Sequence, residues 1–242
     1  MPDYSYGDVP VLAFVVIPLL LVAALVWGIV AASRRLGQAG AAPRRALTAL
    51  AAAALWMAAT WTAATSGILR QWDATPPPFA LLVLGIVALS VLIAWGPYGR
   101  LLAQGLPLWV LVGIQGFRLP LELAMHAMYD RGIMPVQMSY SGRNFDIVTG
   151  ITALVVAAAL RWGLAPRWLA GAWNVLGLAL LLNIVTIAII STPRFAFFGP
   201  DRLNVWVTFP PFIWLPAVMV LAALAGHLLV FRALREPPQP AR

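Results

Sequence analysis

Four polar side chains recur at helical spacing inside one of the most hydrophobic stretches of the chain. Gln115, Arg118, Glu122 and His126 are three, four and four residues apart, which places them on one face of a helix. A charged group in lipid costs at least ~2.5 kcal/mol, so such residues usually face a protein interior or a watery cavity. We therefore expect this polar stripe to bind a ligand. Arg118 would hold an anionic or polar group, and Glu122 and His126 would relay protons.

Within the stripe, Arg118 and Glu122 are spaced to form an ion pair with each other. Pro120 lies between them and removes one helical hydrogen bond, which would free the carbonyl of Gly116. The pair has two interpretations. It is a structural link between helices, or it is a functional charge pair, because buried pairs stabilise a fold less than apolar packing does.

The connection that follows, from Met128 to Arg143, is long and unusually apolar, and we expect it to fold back over the helices as a lid. Three polar residues, Asn144, Asp146 and Thr149, begin the next hydrophobic run. In one interpretation they serve the helix itself, with Asn144 as its N-cap and Asp146 complementing its dipole.

In the other interpretation, Asp146 and Thr149 lie opposite Glu122 and His126, because consecutive helices are usually neighbours. The sequence leaves both interpretations open. The candidate substrate-binding residues are therefore Gln115, Arg118, Glu122, His126, Asn144, Asp146 and Thr149.

Composition defines the elements that must position these residues. Hydrophobic residues make up 62% of the chain and charged residues 10%, whereas soluble domains carry roughly 25% charged residues. All the basic residues are arginines and most flank the hydrophobic runs, which indicates membrane orientation and not a nucleic-acid partner. With no Cys and two His, we expect no metal site and no cofactor.

We predict an all-α integral membrane protein, a single transmembrane domain over residues 1–242 folded as a compact bundle. A membrane crossing needs about 20 apolar residues, and about seven runs qualify, with six or eight as alternatives. They lie near residues 10–32, 46–67, 78–96, 106–128, 145–162, 167–190 and 208–232. The short, Pro-rich segment 234–242 predicts a disordered cytoplasmic tail.

The positive-inside rule sets the expected orientation. The first, third and fifth connections and the C-terminal tail hold twice as many arginines as the opposite side, which predicts the N-terminus outside and the C-terminus in the cytoplasm. His227 would then lie near the cytoplasmic end, far from His126, in an interfacial or helix-bonding role. We expect the aromatic loop 193–200 to lie in the outer headgroup layer.

Three motifs carry a resemblance: Phe117-Arg-Leu-Pro-Leu-Glu122, Pro135-Val-Gln-Met-Ser-Tyr140, and Gly142-Arg-Asn-Phe-Asp-Ile147 followed by Gly150-Ile-Thr-Ala153. Together they resemble a pattern in a group of bacterial multi-span inner-membrane proteins of uncharacterised function, over about residues 117–153. The resemblance implies a bacterial inner (cytoplasmic) membrane location and says nothing about a substrate.

Three classes of function remain. The first is binding or transport of a small polar or anionic solute, proton-linked, in an outward-facing cavity lined by the fourth and fifth spans. The second is an accessory, sensory or assembly subunit whose polar face docks a membrane protein partner. The third is an intramembrane lipid-modifying enzyme with Glu122 and His126 as acid and base. The sequence has no nucleophile or phosphate-loop motif, which favours the first class.

Overall fold

The computed structural model describes residues 7–236, and in this part of the chain every regular element is a helix. Two of the elements change helix type along their length. A 3-10 turn, Ile114–Phe117, joins α5 to α6, and a π-helix, Leu215–Val220, continues into α9. The α-helices are α1 Val9–Arg35, α2 Ala42–Thr65, α3 Pro78–Trp95, α4 Pro97–Gly105, α5 Leu108–Gly113, α6 Arg118–Asp130, α7 Ile147–Arg161, α8 Arg167–Ile190 and α9 Leu221–Arg235.

Six continuous helical segments of the described chain are long and apolar enough to cross a membrane. The fold is therefore compatible with a multi-pass helical membrane protein, in which every backbone polar group within a span is paired internally. The fifth predicted span, 145–162, is α7, with 15 residues. At 1.5 Å per residue it rises about 22 Å, less than the ~30 Å hydrocarbon core. The six segments are Val9–Arg35, Ala39–Thr65, Pro78–Trp95, Leu108–Asp130, Arg167–Ile190 and Leu215–Arg235.

Two predicted boundaries were wrong and one helix was missed. The last span begins at Leu215 and not near 208, because Pro210 and Pro211 have no N–H groups to donate within a helix. The third connection holds a short helix, α4, that the sequence did not predict. The helix α9 continues to Arg235, so it includes the first two residues of the predicted tail 234–242; residues 237–242 lie outside the described part.

The main hydrophobic core lies between α1, α6, α8 and the π-helix with α9. Met134 and Met138, from the connection after α6, are buried in this core. Gln137 in the same connection donates from Nε2 to the carbonyl of Arg202 at 2.8 Å and to Ser191 Oγ at 3.1 Å. The connection therefore folds back onto the bundle, as its apolar composition predicted.

Arginines at the end of the bundle predicted to be cytoplasmic are held by specific contacts. Arg232 is buried and donates from Nη1 to the carbonyls of Ala94 at 2.9 Å and Gly96 at 3.2 Å, where α3 ends. Its guanidinium also lies near the ring of Trp95, as does that of Arg235. Such contacts satisfy helix-end carbonyls that have no partner within their own helix.

Candidate functional site

Three of the four residues of the polar stripe lie inside the bundle. Gln115, Arg118 and Glu122 are at most 2% exposed. The backbone that carries them tightens into the 3-10 turn immediately before Arg118 and Pro120. The carbonyl of Gly116 accepts a backbone N–H at the end of that turn, so the prediction that Pro120 leaves it free was wrong.

The ion pair of the site joins Arg118 to Asp146. Arg118 Nη1 lies 2.9 Å from Asp146 Oδ1 and 3.4 Å from the carbonyl of Gly177 in α8. The predicted pair between Arg118 and Glu122 was wrong: the described residues form no ion pair between these two side chains. Arg118 bonds outward from its own helix, toward α7 and α8, because α7 begins close to it.

A glycine permits this close approach of α6 and α7. Gly150 is buried in the first turn of α7, and a Cβ there would lie 2.5 Å from the backbone nitrogen of Leu119 and 3.0 Å from the carbonyl carbon of Arg118. No other residue type fits without separating the two backbones. Gly150 therefore fixes the distance that Arg118 spans to reach Asp146.

Asn144 connects the two carboxylates of the site. Its Nδ2 donates to Glu122 Oε2 at 2.7 Å and to the carbonyl of Met138 at 3.0 Å, and its Oδ1 accepts the backbone N–H of Asp146 at 3.0 Å. The prediction that Asn144 caps the fifth span was wrong. Asp146 occupies that position, without a capping bond from its side chain. Both the amide nitrogen and the amide oxygen of Asn144 are therefore used within the site.

Arg118, Glu122 and Asp146 are the charged residues that line a cavity of about 70 Å³. The remainder of the lining is almost wholly apolar. Most of it comes from α6, α8 and the π-helix with α9, and α3 and the connections add a few residues, whereas the predicted fifth span contributes only Asp146, just before α7. Representative apolar residues of the lining are Phe79, Phe117, Met125, Leu181, Ala188 and Met219.

A second group of buried polar side chains does not line the cavity. Gln115 donates from Nε2 to the carbonyl of Ala223 at 3.1 Å, and Thr149 is fully buried. His227 packs beside Thr149 around Gly177, where a Cβ would lie 2.7 Å from the His227 ring and 2.8 Å from the Thr149 methyl. His227 is therefore in the interior, so its predicted interfacial position was wrong.

The predicted helix-bonding role of His227 was right, and it fixes the ring tautomer. Asn174 in α8 donates from Nδ2 to the backbone carbonyl of His227 at 3.1 Å. Its Oδ1, 2.7 Å from His227 Nδ1, can only accept, so Nδ1 carries the hydrogen. The ring is fully buried, which disfavours its charged form, and its Nε2 is buried without a partner among the described residues.

His126 lies apart from the cavity, at the end of α6. Its Nδ1 is 2.8 Å from Ser139 Oγ, its Nε2 is 3.8 Å from Asp130 Oδ2, and its ring stacks on Tyr140 with centroids 4.2 Å apart. It is partly exposed and does not line the cavity. The predicted relay through Glu122 and His126 therefore has no direct contact between the two side chains.

Several buried polar atoms of the site have no hydrogen-bond partner in the part of the chain that the structure describes. They include Nε and Nη2 of Arg118 and Oε1 of Gln115. Among the described residues, only Asn144 donates a hydrogen bond to the Glu122 carboxylate, and it binds Oε2. Buried polar groups nearly always have a protein, water or ligand partner, so this cluster is equipped to bind something polar.

Replacing Asn144 with Ala is expected to destabilise the protein by about 2 kcal/mol. The change leaves the Glu122 carboxylate and the Met138 carbonyl buried without a donor. The measurement is the midpoint of thermal unfolding in detergent. Asn183→Ala is the matched control, because Asn183 makes a single exposed bond to the Arg143 carbonyl, and its removal should change stability by less than about 0.5 kcal/mol. Equal midpoints for the two variants would contradict the bridging role of Asn144.

The described fold and site define a class: a helical, multi-pass membrane-type bundle with a charged cluster buried beside an apolar cavity. No family model matches the chain, and neither the curated proteins nor the solved structures contain a significant match. The resemblance of residues 117–153 to bacterial inner-membrane proteins therefore stays a prediction.

Proposed function

We propose that this protein is a seven-span bacterial inner-membrane protein, N-terminus outside, that binds and moves a small solute through the cavity beside Arg118. Binding is linked to a proton carried by Glu122. The observation that carries the proposal is the unequal charge of the site. One guanidinium, Arg118, is buried with two carboxylates, and the second of these, Glu122, faces the cavity.

The charge count explains the link to protons. Arg118 and Asp146 neutralise each other at 2.9 Å, which leaves Glu122 as an additional negative charge in an apolar setting. An isolated buried carboxylate is strongly unfavourable, so Glu122 takes up a proton when the cavity is empty of other charge. A solute that changes the polarity around Glu122 changes its proton occupancy, which is the coupling a proton-linked transporter needs.

The geometry supports this class over the other two. Three of the four residues of the polar stripe are buried within their own chain, which leaves only His126 where a partner protein could dock. An acid–base pair for an enzyme would require Glu122 and His126 to face one substrate, and only Glu122 lines the cavity. The expected anionic solute also loses its support, because Asp146 already neutralises the charge of Arg118.

A proteoliposome assay tests the proposal without knowledge of the solute. A pH-sensitive dye inside the vesicles reports luminal pH as small amines, carboxylates and neutral polar compounds are added outside. We expect at least one compound to produce a pH change above that of empty liposomes. Glu122→Gln should abolish that change, because the amide cannot release a proton.

Two matched variants of α8 assign the signal to the cavity. Ala188 lines the cavity, whereas Ala179 lies on the same helix with its side chain exposed. Ala188→Phe should block the signal and Ala179→Phe should leave it intact. The proposal would be overturned if none of the compounds changed the luminal pH with the wild-type protein, or if the pH change persisted in Ala188→Phe.

A further inference from the structure

We infer that the solute is a small organic cation with an apolar body, of the alkylammonium class, and that it competes with a proton for Glu122. The inference rests on the proposed binding of a solute in the cavity and names its chemistry. Both parts follow from the composition of the cavity wall, which combines one uncompensated carboxylate with apolar and aromatic side chains.

Charge balance selects the sign of the solute. The charged groups that face Glu122 are Arg118 on its own helix and Asp146 before α7, and these two form a pair with each other. His227, on α9, is fully buried and forms no ion pair with a carboxylate in the described chain, so burial keeps its ring neutral. A bound monovalent cation therefore brings the cluster to zero charge. A bound anion would either repel the ionised carboxylate of Glu122 or, with Glu122 protonated, leave the cluster with an uncompensated negative charge in an apolar setting.

The walls of the cavity select the apolar body. Phe79 and Phe117 contribute aromatic rings, and an aromatic face attracts an ammonium group more strongly once the ammonium is desolvated. Met125, Met138 and Met219 contribute polarisable thioethers that adapt to an alkyl chain. A cavity of about 70 Å³ holds an ammonium group and the first carbons of a short alkyl chain, which excludes large amphiphiles.

Glu122 Oε1 is the atom that receives the cation. Asn144 holds Oε2 at 2.7 Å and so orients the carboxylate, while Oε1 has no hydrogen-bond partner in the described chain. The same oxygen is the one available to a proton. A cation and a proton therefore exclude each other, and each cation that binds releases one proton from Glu122.

Calorimetry on the purified wild-type protein tests this with three probes of similar size: butylammonium, butyrate and butanol. Titrations in two buffers with different ionisation enthalpies give the number of protons released. We expect butylammonium to bind with release of up to one proton, and to bind more tightly as pH rises. Butyrate and butanol should bind about tenfold more weakly or not at all, since loss of the charge interaction removes at least ~1.4 kcal/mol.

Two isosteric variants test the charge count directly. Glu122→Gln removes the receiving carboxylate, and Asp146→Asn leaves Glu122 to neutralise Arg118; either change brings the empty cluster to zero charge. Both should weaken butylammonium binding about tenfold or more. If the Glu122 carboxylate bound the cation without any contribution from the charge of Asp146, the Asp146→Asn variant would still bind butylammonium. That result would overturn the inference, because the inference rests on the excess of two carboxylates over one guanidinium.

The outcomes separate this inference from the proposed function. If butyrate or butanol binds in preference, and Ala188→Phe abolishes that binding, the cavity is a solute site and the cation assignment is wrong. If none of the three probes binds and no compound changes the luminal pH of the proteoliposomes, both proposals fail. Thermal unfolding of each variant confirms that a loss of binding does not reflect a loss of fold.

Discussion

Replacing Arg118 with Leu is expected to lower the free energy of unfolding by about 3–5 kcal/mol. The change leaves Asp146 without its cation and close to a second carboxylate, Glu122, in a region from which water is excluded. The same change in Arg131, whose exposed side chain pairs with Asp8 at 2.8 Å, should cost less than about 1 kcal/mol. The measurement is reversible unfolding of each variant in mixed detergent micelles.

Two double variants identify the true partner of Arg118. Arg118→Leu with Asp146→Leu removes both members of the pair, so stability should return to within about 1 kcal/mol of the wild type. Arg118→Leu with Glu122→Leu leaves Asp146 buried and unpaired, and should stay as unstable as the single variant. Equal recovery in both doubles would contradict the pairing that the structure shows.

Replacing Gly150 with Ala is expected to destabilise the protein by about 2–3 kcal/mol, although alanine is normally the better helix former. The added methyl would lie 2.5 Å from the backbone nitrogen of Leu119, and backbone atoms cannot rotate away as a side chain can. The two helices must separate, which also lengthens the contact between Arg118 and Asp146. Thermal unfolding reports the loss of stability, and butylammonium titration reports the loss of the site.

Gly85 provides the matched control for Gly150. It lies in α3, and a Cβ added there meets no atom within 4 Å. Gly85→Ala should therefore leave stability unchanged or raise it by up to about 1 kcal/mol. If Gly150→Ala behaved in the same way, α6 and α7 would not be in close backbone contact, and the geometry of the ion pair would need another explanation.

Hydrophobic run length was sufficient to find the long helices but not α4, and helical spacing found three of the buried polar residues. Gln115, Arg118 and Glu122 were placed on one face by helical spacing alone, and that face is buried. The same reasoning could not find the partner of Arg118, because spacing within one helix shows only the residues of that helix. Asp146 and Gly177 reach Arg118 from two other elements, 28 and 59 residues further along the chain.

His227 shows a different limit. Its position in the last hydrophobic run predicted how deep His227 lies in the membrane, but this position does not predict whether its side chain faces lipid or the interior of the bundle.

Two glycines mark the places where the buried polar side chains fit against neighbouring helices. Gly177 leaves room for the His227 ring, and Gly226 leaves room for Gln115. Glycine at helix–helix contacts permits close packing, but from one sequence such a glycine cannot be told from any other.

The residues that form this site are far apart in the sequence, and this separation has a consequence for the biosynthesis of the protein. Gln115 finds its acceptor, the Ala223 carbonyl, 108 residues later, and the cavity is closed by the same final helix. A ribosome therefore completes the polar stripe well before the groups that satisfy it exist. The segment Leu108–Asp130 therefore emerges with Arg118 and Glu122 unpaired, and we expect its integration into the membrane to be delayed until the later helices emerge. Truncated chains that end before Asp146 should be poor substrates for membrane insertion.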